Sequence, residues 1–126
     1  MPLVRFSFMQ GQPAGFGKQV GAIVYCAMTS TLNVPANDHF QIITEHDVNS
    51  LNYAPSYLDI ARTDGVIFIQ ITLNEGRTAE LKKAFYNTVA ENLLQELGVR
   101  MEDVFISLIE VKKENWSFGN GVAQYA

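Results

Sequence analysis

Val66-Ile67-Phe68-Ile69-Gln70-Ile71-Thr72-Leu73 is a nearly continuous apolar, β-branched run, and Gly76-Arg77-Thr78 follows it closely. Such a run has the character of a strand buried on both faces. Thr78 is placed to cap a helix by accepting from the open N–H groups of its first turn. Leu81, Phe85, Val89, Leu93 and Leu97 then recur four apart on one helical face, and Gly98 closes the helix. Val104-Phe105-Ile106-Ser107-Leu108-Ile109-Glu110-Val111 is the next strand. This half of the chain reads strand, helix, strand.

The other half has the same order. Met1-Pro2-Leu3-Val4-Arg5-Phe6-Ser7-Phe8 reads as a strand that begins as soon as the chain does, with no leader or polar tail expected before it. Gly11-Gln12-Pro13 ends it, and Phe16, Val20, Ile23, Ala27 and Leu32 mark a helix of about 18 residues. Pro35 cannot continue a helical ladder, and Phe40-Gln41-Ile42-Ile43-Thr44 follows as a strand. Sliding the chain against itself by 65 residues aligns Gly11 with Gly76, Leu32 with Leu97, Asp38 with Asp103 and Phe40 with Phe105. These are turn, helix-end and strand-start positions, which a shared architecture constrains.

Two strands that run the same way need a crossover, so each helix returns its second strand parallel to the first. The expected fold is α+β: two βαβ units forming one four-stranded mixed sheet with both helices on one face. A single domain spans residues 1–126, with a pseudo-repeat of 1–64 and 65–126. Residues 45–64 read as a long polar loop with a short helical turn, and the tail around Trp116, Phe118, Gly119 and Gly121 as a hairpin or folded-over arm. Only that tail or other subunits can cover the second sheet face, so an oligomer is expected.

Composition narrows the function. The chain is 48% hydrophobic and 17% charged, as a globular protein is, and its formal charge of -4 argues against nucleic acid or an anionic membrane as partner. No run reaches the length of a membrane span and residues 1–20 lack a signal-peptide pattern, so a cytoplasmic location is expected. Cys26, among Val24, Tyr25 and Ala27, reads as a buried structural thiol. His39 and His46 lack partners at ligand spacing, so no metal is expected. Arg5 and Arg62 are further cations without an assigned role.

Met1-Pro2 is chemically distinctive. Removal of the initiator methionine would leave a terminal secondary amine at Pro2. Desolvation and nearby arginines would disfavour its protonated form and lower its pKa from the roughly 7.7–8.0 of an ordinary α-amino group. Such an amine can act as a general base at neutral pH.

With two βαβ units and Gly76-Arg77-Thr78, this start resembles the tautomerase superfamily. Val34-Pro35 with Asp38, Glu45-His46, Ile60-Ala61-Arg62-Thr63 and Lys83-Ala84-Phe85-Tyr86 make the chain similar to the branch containing malonate semialdehyde decarboxylase. Asn115-Trp116-Ser117-Phe118-Gly119-Asn120-Gly121 carries the most specific part of that likeness. The resemblance implies a homotrimer acting on a small carboxylate substrate without metal or organic cofactor. It implies Pro2 as the base, Arg77 as the group that binds and polarises a carboxylate or carbonyl oxygen, and Asp38 as an orienting group. Trp116 and Phe118 would be the substrate-binding apolar wall.

One position departs from the branch. Glu75 stands where its decarboxylases carry a second arginine, and a carboxylate beside the pocket would repel an acid substrate. Proton transfer on small 2-oxo or 3-oxo acids or their enols therefore ranks ahead of decarboxylation or hydration. A non-enzymatic oligomeric binding module is the alternative of another class.

Overall fold

In the computed structural model, which describes residues 2–126, the chain forms β1 (Leu3–Met9), α1 (Phe16–Thr31) and β2 (Gln41–His46). A short pair, β3 (Ser56–Tyr57) and β4 (Ile60–Ala61), precedes β5 (Ile67–Asn74), α2 (Ala79–Leu97) and β6 (Val104–Val111). The main sheet has the order β2-β1-β5-β6. β1 runs parallel to β2, β5 runs parallel to β6, and the two pairs meet antiparallel along β1 and β5. This is the mixed sheet that the strand and helix patterns call for. No described helix is long and apolar enough to cross a membrane.

Alternation decides which face is dry. Val4, Phe6 and Phe8 of β1 and Ile67, Ile69, Ile71 and Leu73 of β5 point to one side, as period-two spacing requires. There they pack with Val20, Val24 and Met28 of α1 and Phe85, Val89 and Leu93 of α2, so both helices cover the same face. Small residues let α1 approach closely. A Cβ on Gly17 would stand 2.7 Å from Ile43 Cγ2, and one on Gly21 would collide with the Gln41 side-chain oxygen. The Gln41 amide uses that space to donate to the Gly21 carbonyl at 2.8 Å. Thr78 caps α2 by accepting from the Leu81 N–H, and Gly98 ends it at φ 68°.

Two local expectations, on Cys26 and on residues 45–64, are corrected. In the single chain β5 is dry on its helix side, while on the side left for the tail or other subunits Phe68 and Thr72 are half-buried and Gln70 is exposed. Phe105 and Ile109 of β6 are each 40% exposed on that outer face. Cys26 is exposed, because Ile23, Val24, Ala27 and Met28 define the inward face of α1 and the helical turn sends residue 26 away from it. Residues 45–64 contain the β3–β4 hairpin where a helical turn was expected. Its reversal uses Leu58 and Asp59, both at positive φ, without the Asn-Gly pair that commonly announces such a turn.

Asp103 anchors that long loop. Its carboxylate is 2% exposed and accepts from the Thr63 N–H at 2.8 Å and the Thr63 hydroxyl at 2.6 Å. Arg100 Nη1 donates to the same group at 3.5 Å. At the other end of the chain, residues after Val111 form a folded-over arm, not a hairpin. Gln124 holds it closed by accepting from the Phe118 N–H and donating to the Gly119 carbonyl, each at 2.9 Å.

Candidate active site

Strand polarity brings four ends of the sheet to one edge. β1 and β2 start there, while β5 and β6, running the opposite way, end there. The Leu3–Thr72 register sets Asn74 beside the start of β1, and the Val4 N–H donates to the Phe40 carbonyl at 3.0 Å just ahead of β2. After β6 the arm turns back over this edge. Pro2, Leu3, Phe40, Trp116 and Phe118 consequently line a cavity of about 190 Å³ whose walls are almost entirely apolar.

Pro2 is buried at the mouth of β1. Removal of Met1 concerns a residue outside the described ones. The Trp116 and Phe118 rings stack with centroids 5.4 Å apart and an interplanar angle of 18°, and Tyr125 meets Phe118 edge-on at 5.1 Å. The indole N–H of Trp116 donates to Asn74 Oδ1 at 2.7 Å. Three of the five residues singled out in the sequence thus share one cavity.

Arg77 is not among the residues that line the cavity. Its Nε donates to the Leu32 carbonyl at 2.7 Å and its Nη1 to the Asn74 carbonyl at 3.1 Å. These bonds pin the guanidinium between the C-terminal end of α1 and the end of β5, where a cation also meets the negative pole of the helix. They engage two of its five N–H donors. On β6, the hydrogen bond from Lys82 Nζ at 2.8 Å is the main cause holding the Glu110 carboxyl below its ordinary value of 4.5. The Gly76 N–H and the Arg77 charge act in the same direction.

Asp38 is buried in the turn that enters β2, with its N–H donating to the Pro35 carbonyl at 3.3 Å. It stands near the same edge but is not among the cavity walls. Glu75 is exposed and is also absent from those walls, so the repulsion expected of it acts only from a distance. Arg62 lies over the Phe105 ring at 5.6 Å, and Arg5 projects exposed from β1; neither lines this cavity. A larger cavity of about 400 Å³ at the opposite sheet edge, lined by Met9–Gln12, His46, Asp47 and Asp64 among others, contains none of the expected site residues.

Phe40 and Asn74 are the members that sequence reading missed. Phe40 reads as an ordinary strand residue, although an aromatic at a strand's first position tends to lie at a sheet edge. Asn74 is the polar residue that ends the apolar run just before Gly76-Arg77, and that break is the available signal.

A family profile described as "Tautomerase enzyme" matches residues 38–119. The probable tautomerase YusQ of Bacillus subtilis (strain 168) is 41% identical over 124 residues, spanning 98% of each chain. Among solved structures, the FG41 malonate semialdehyde decarboxylase inhibited by 3-bromopropiolate is 32% identical. It superposes with a TM-score of 0.89 over 98% of this chain and 93% of that one. A fused 4-OT described as a symmetric trimer shares the fold with a TM-score of 0.77 at 22% identity, over 95% and 94% of the two chains.

Proposed function

This chain belongs to the tautomerase family, and from that membership we propose that it is an enzyme moving a proton between carbon and oxygen of small 2-oxo or 3-oxo acids or their enols. The observation that carries the proposal is the burial of Pro2 on the wall of an apolar cavity beside Trp116 and Phe118. With Met1 removed, the Pro2 nitrogen is a secondary amine. In ketonisation it accepts the enol O–H proton, the O–H electron pair closes the carbonyl, and the former C=C pair takes that proton from the protonated Pro2 at the neighbouring carbon. Arg77 stabilises the oxyanion or binds the substrate carboxylate, because a forked guanidinium suits two oxygens better than a point charge does. Asp38 orients the substrate carbonyl, a water or the proline. The aromatic rings exclude water, which strengthens each of these interactions. None of these steps transfers electrons to an acceptor, so none calls for a redox cofactor.

The likeness to a malonate semialdehyde decarboxylase supports a second reaction at the same groups. There the bond from carbon to carboxylate breaks, carbon dioxide leaves, the electron pair passes into an enolate, and protonated Pro2 returns a proton to carbon. Exposed Glu75 weakens this reaction less than its position in the sequence suggests, since charges outside the cavity are screened by water and salt.

The test is the rate of ketonisation of phenylenolpyruvate by protein whose intact mass shows Met1 removed, with carbon dioxide release from malonate semialdehyde measured beside it. Acceleration over buffer is expected for the first substrate. No acceleration with either would sink the proposal and favour a binding module.

We also propose a homotrimer. The incompletely covered outer face with Phe68, Phe105 and Ile109 supports it, as does the shared fold of a neighbour described as a symmetric trimer. Light scattering is expected to give three times the 14.1 kDa of one chain. A monomeric mass at micromolar concentration would overturn it.

A further inference from the structure

We infer that Asn74 is a positioning residue that fixes the aromatic wall of the cavity to the strand that also holds Arg77; its catalytic meaning rests on the function proposed above. Its backbone carbonyl accepts from Arg77 Nη1 at 3.1 Å, and its side-chain oxygen accepts from Trp116 Nε1 at 2.7 Å. One residue thereby sets the cation and the wall relative to each other.

The platform is stiff. Asn74 is the last residue of β5 and stands opposite Val111 of β6, and the Glu75 N–H donates to the Val111 carbonyl at 2.9 Å. The arm is not stiff in that way. Residues 116–126 join no strand, and their other hydrogen bonds stay inside the arm or reach back only to Lys113. Among the described residues, the bond from Trp116 to Asn74 is the one that ties this segment to the sheet. An indole has a single donor and no acceptor, so a single well-placed oxygen satisfies it completely. Without that oxygen, the Trp116–Phe118 stack keeps its internal contacts but loses its reference to the sheet, and the cavity opens to water.

Trp116 is the only tryptophan in the chain, so intrinsic fluorescence reports this wall alone. The unaltered protein is expected to show one indole N–H proton resonance that exchanges slowly with solvent. In Asn74→Leu, tryptophan emission should shift to the red and acrylamide quenching should rise about fivefold, the population change that one ordinary hydrogen bond controls. Asn74→Asp keeps an acceptor in place and should restore the unaltered emission. In kinetics, Asn74→Leu should raise KM for phenylenolpyruvate about fivefold. The acid limb of its pH–rate profile should move to higher pH, because a wetter Pro2 amine is a stronger base. A merely structural residue would leave that limb in place. Indole N–H exchange at the rate of free indole in the unaltered protein would overturn the inference, even if no variant folded. So would identical emission and quenching in Asn74→Leu. Both optical readouts apply whether or not the protein turns over phenylenolpyruvate, so failure of the proposed activity and failure of Asn74 as a tether are told apart.

Discussion

Pro2→Ala, in protein freed of Met1, is expected to lower kcat/KM for ketonisation of phenylenolpyruvate by about 10²–10⁴-fold, the contribution of a well-positioned general base. Alanine still leaves an amine at the terminus, so the loss measures more than the presence of nitrogen. The proline ring is itself part of the wall, packed with Leu3 and Phe40 at the start of β1. In the proposed mechanism the ring holds the nitrogen in place and keeps water from it. Alanine removes that packing, lets the terminus move, and raises the amine toward the roughly 7.7–8.0 of an ordinary α-amino group. Retaining Met1 is a harsher change, because an amide nitrogen accepts no proton at any working pH. Its rate should fall to that of buffer. The two variants together separate the nitrogen from the ring, and equal rates in Pro2→Ala and unaltered protein would remove Pro2 from the mechanism.

Asp103→Ala has the largest expected effect on stability, about 3 kcal/mol. A carboxylate 2% exposed leaves three donors behind when it is deleted: the Thr63 N–H, the Thr63 hydroxyl and Arg100. The β3–β4 loop loses its anchor to the start of β6. Urea unfolding followed by far-ultraviolet circular dichroism measures the loss. The turnover of the fraction that stays folded should be unchanged, since Asp103 lies at the sheet edge opposite Pro2. A loss under about 1 kcal/mol would mean that Thr63 and Arg100 find solvent readily and that the anchor is dispensable.

Asp38 and Asp103 stand 65 residues apart at matching points of the two halves, and both are buried. In the sequence, that match argues for a shared turn-forming role. Strand polarity separates them. β1 and β5 are antiparallel, so the turn before β2 falls at the Pro2 edge and the turn before β6 at the other. The same residue in the same local setting is committed to loop anchoring in one half and stands near the candidate site in the other.

Apolar spacing and turn chemistry, which are local properties, determined the order of the principal strands and both helices and the caps at Thr78 and Gly98, and the crossover rule made each strand pair parallel. The Met1-Pro2 start and the resemblance carried by the Trp116 segment made Pro2, Trp116 and Phe118 worth singling out. Tertiary structure decided what those residues meet. Arg77 read as the group that meets a substrate oxygen, and packing of α1 against the end of β5 decided that two of its donors also meet the Leu32 and Asn74 carbonyls. Cys26 read as core, yet helix phase turns it outward. Phe40 entered the cavity, and Asn74 came to hold the Trp116 indole beside it, only because four strand ends converge on one edge. That convergence depends on how distant strands pair, and pairing is settled by the burial of a shared face, not by the residues next in line.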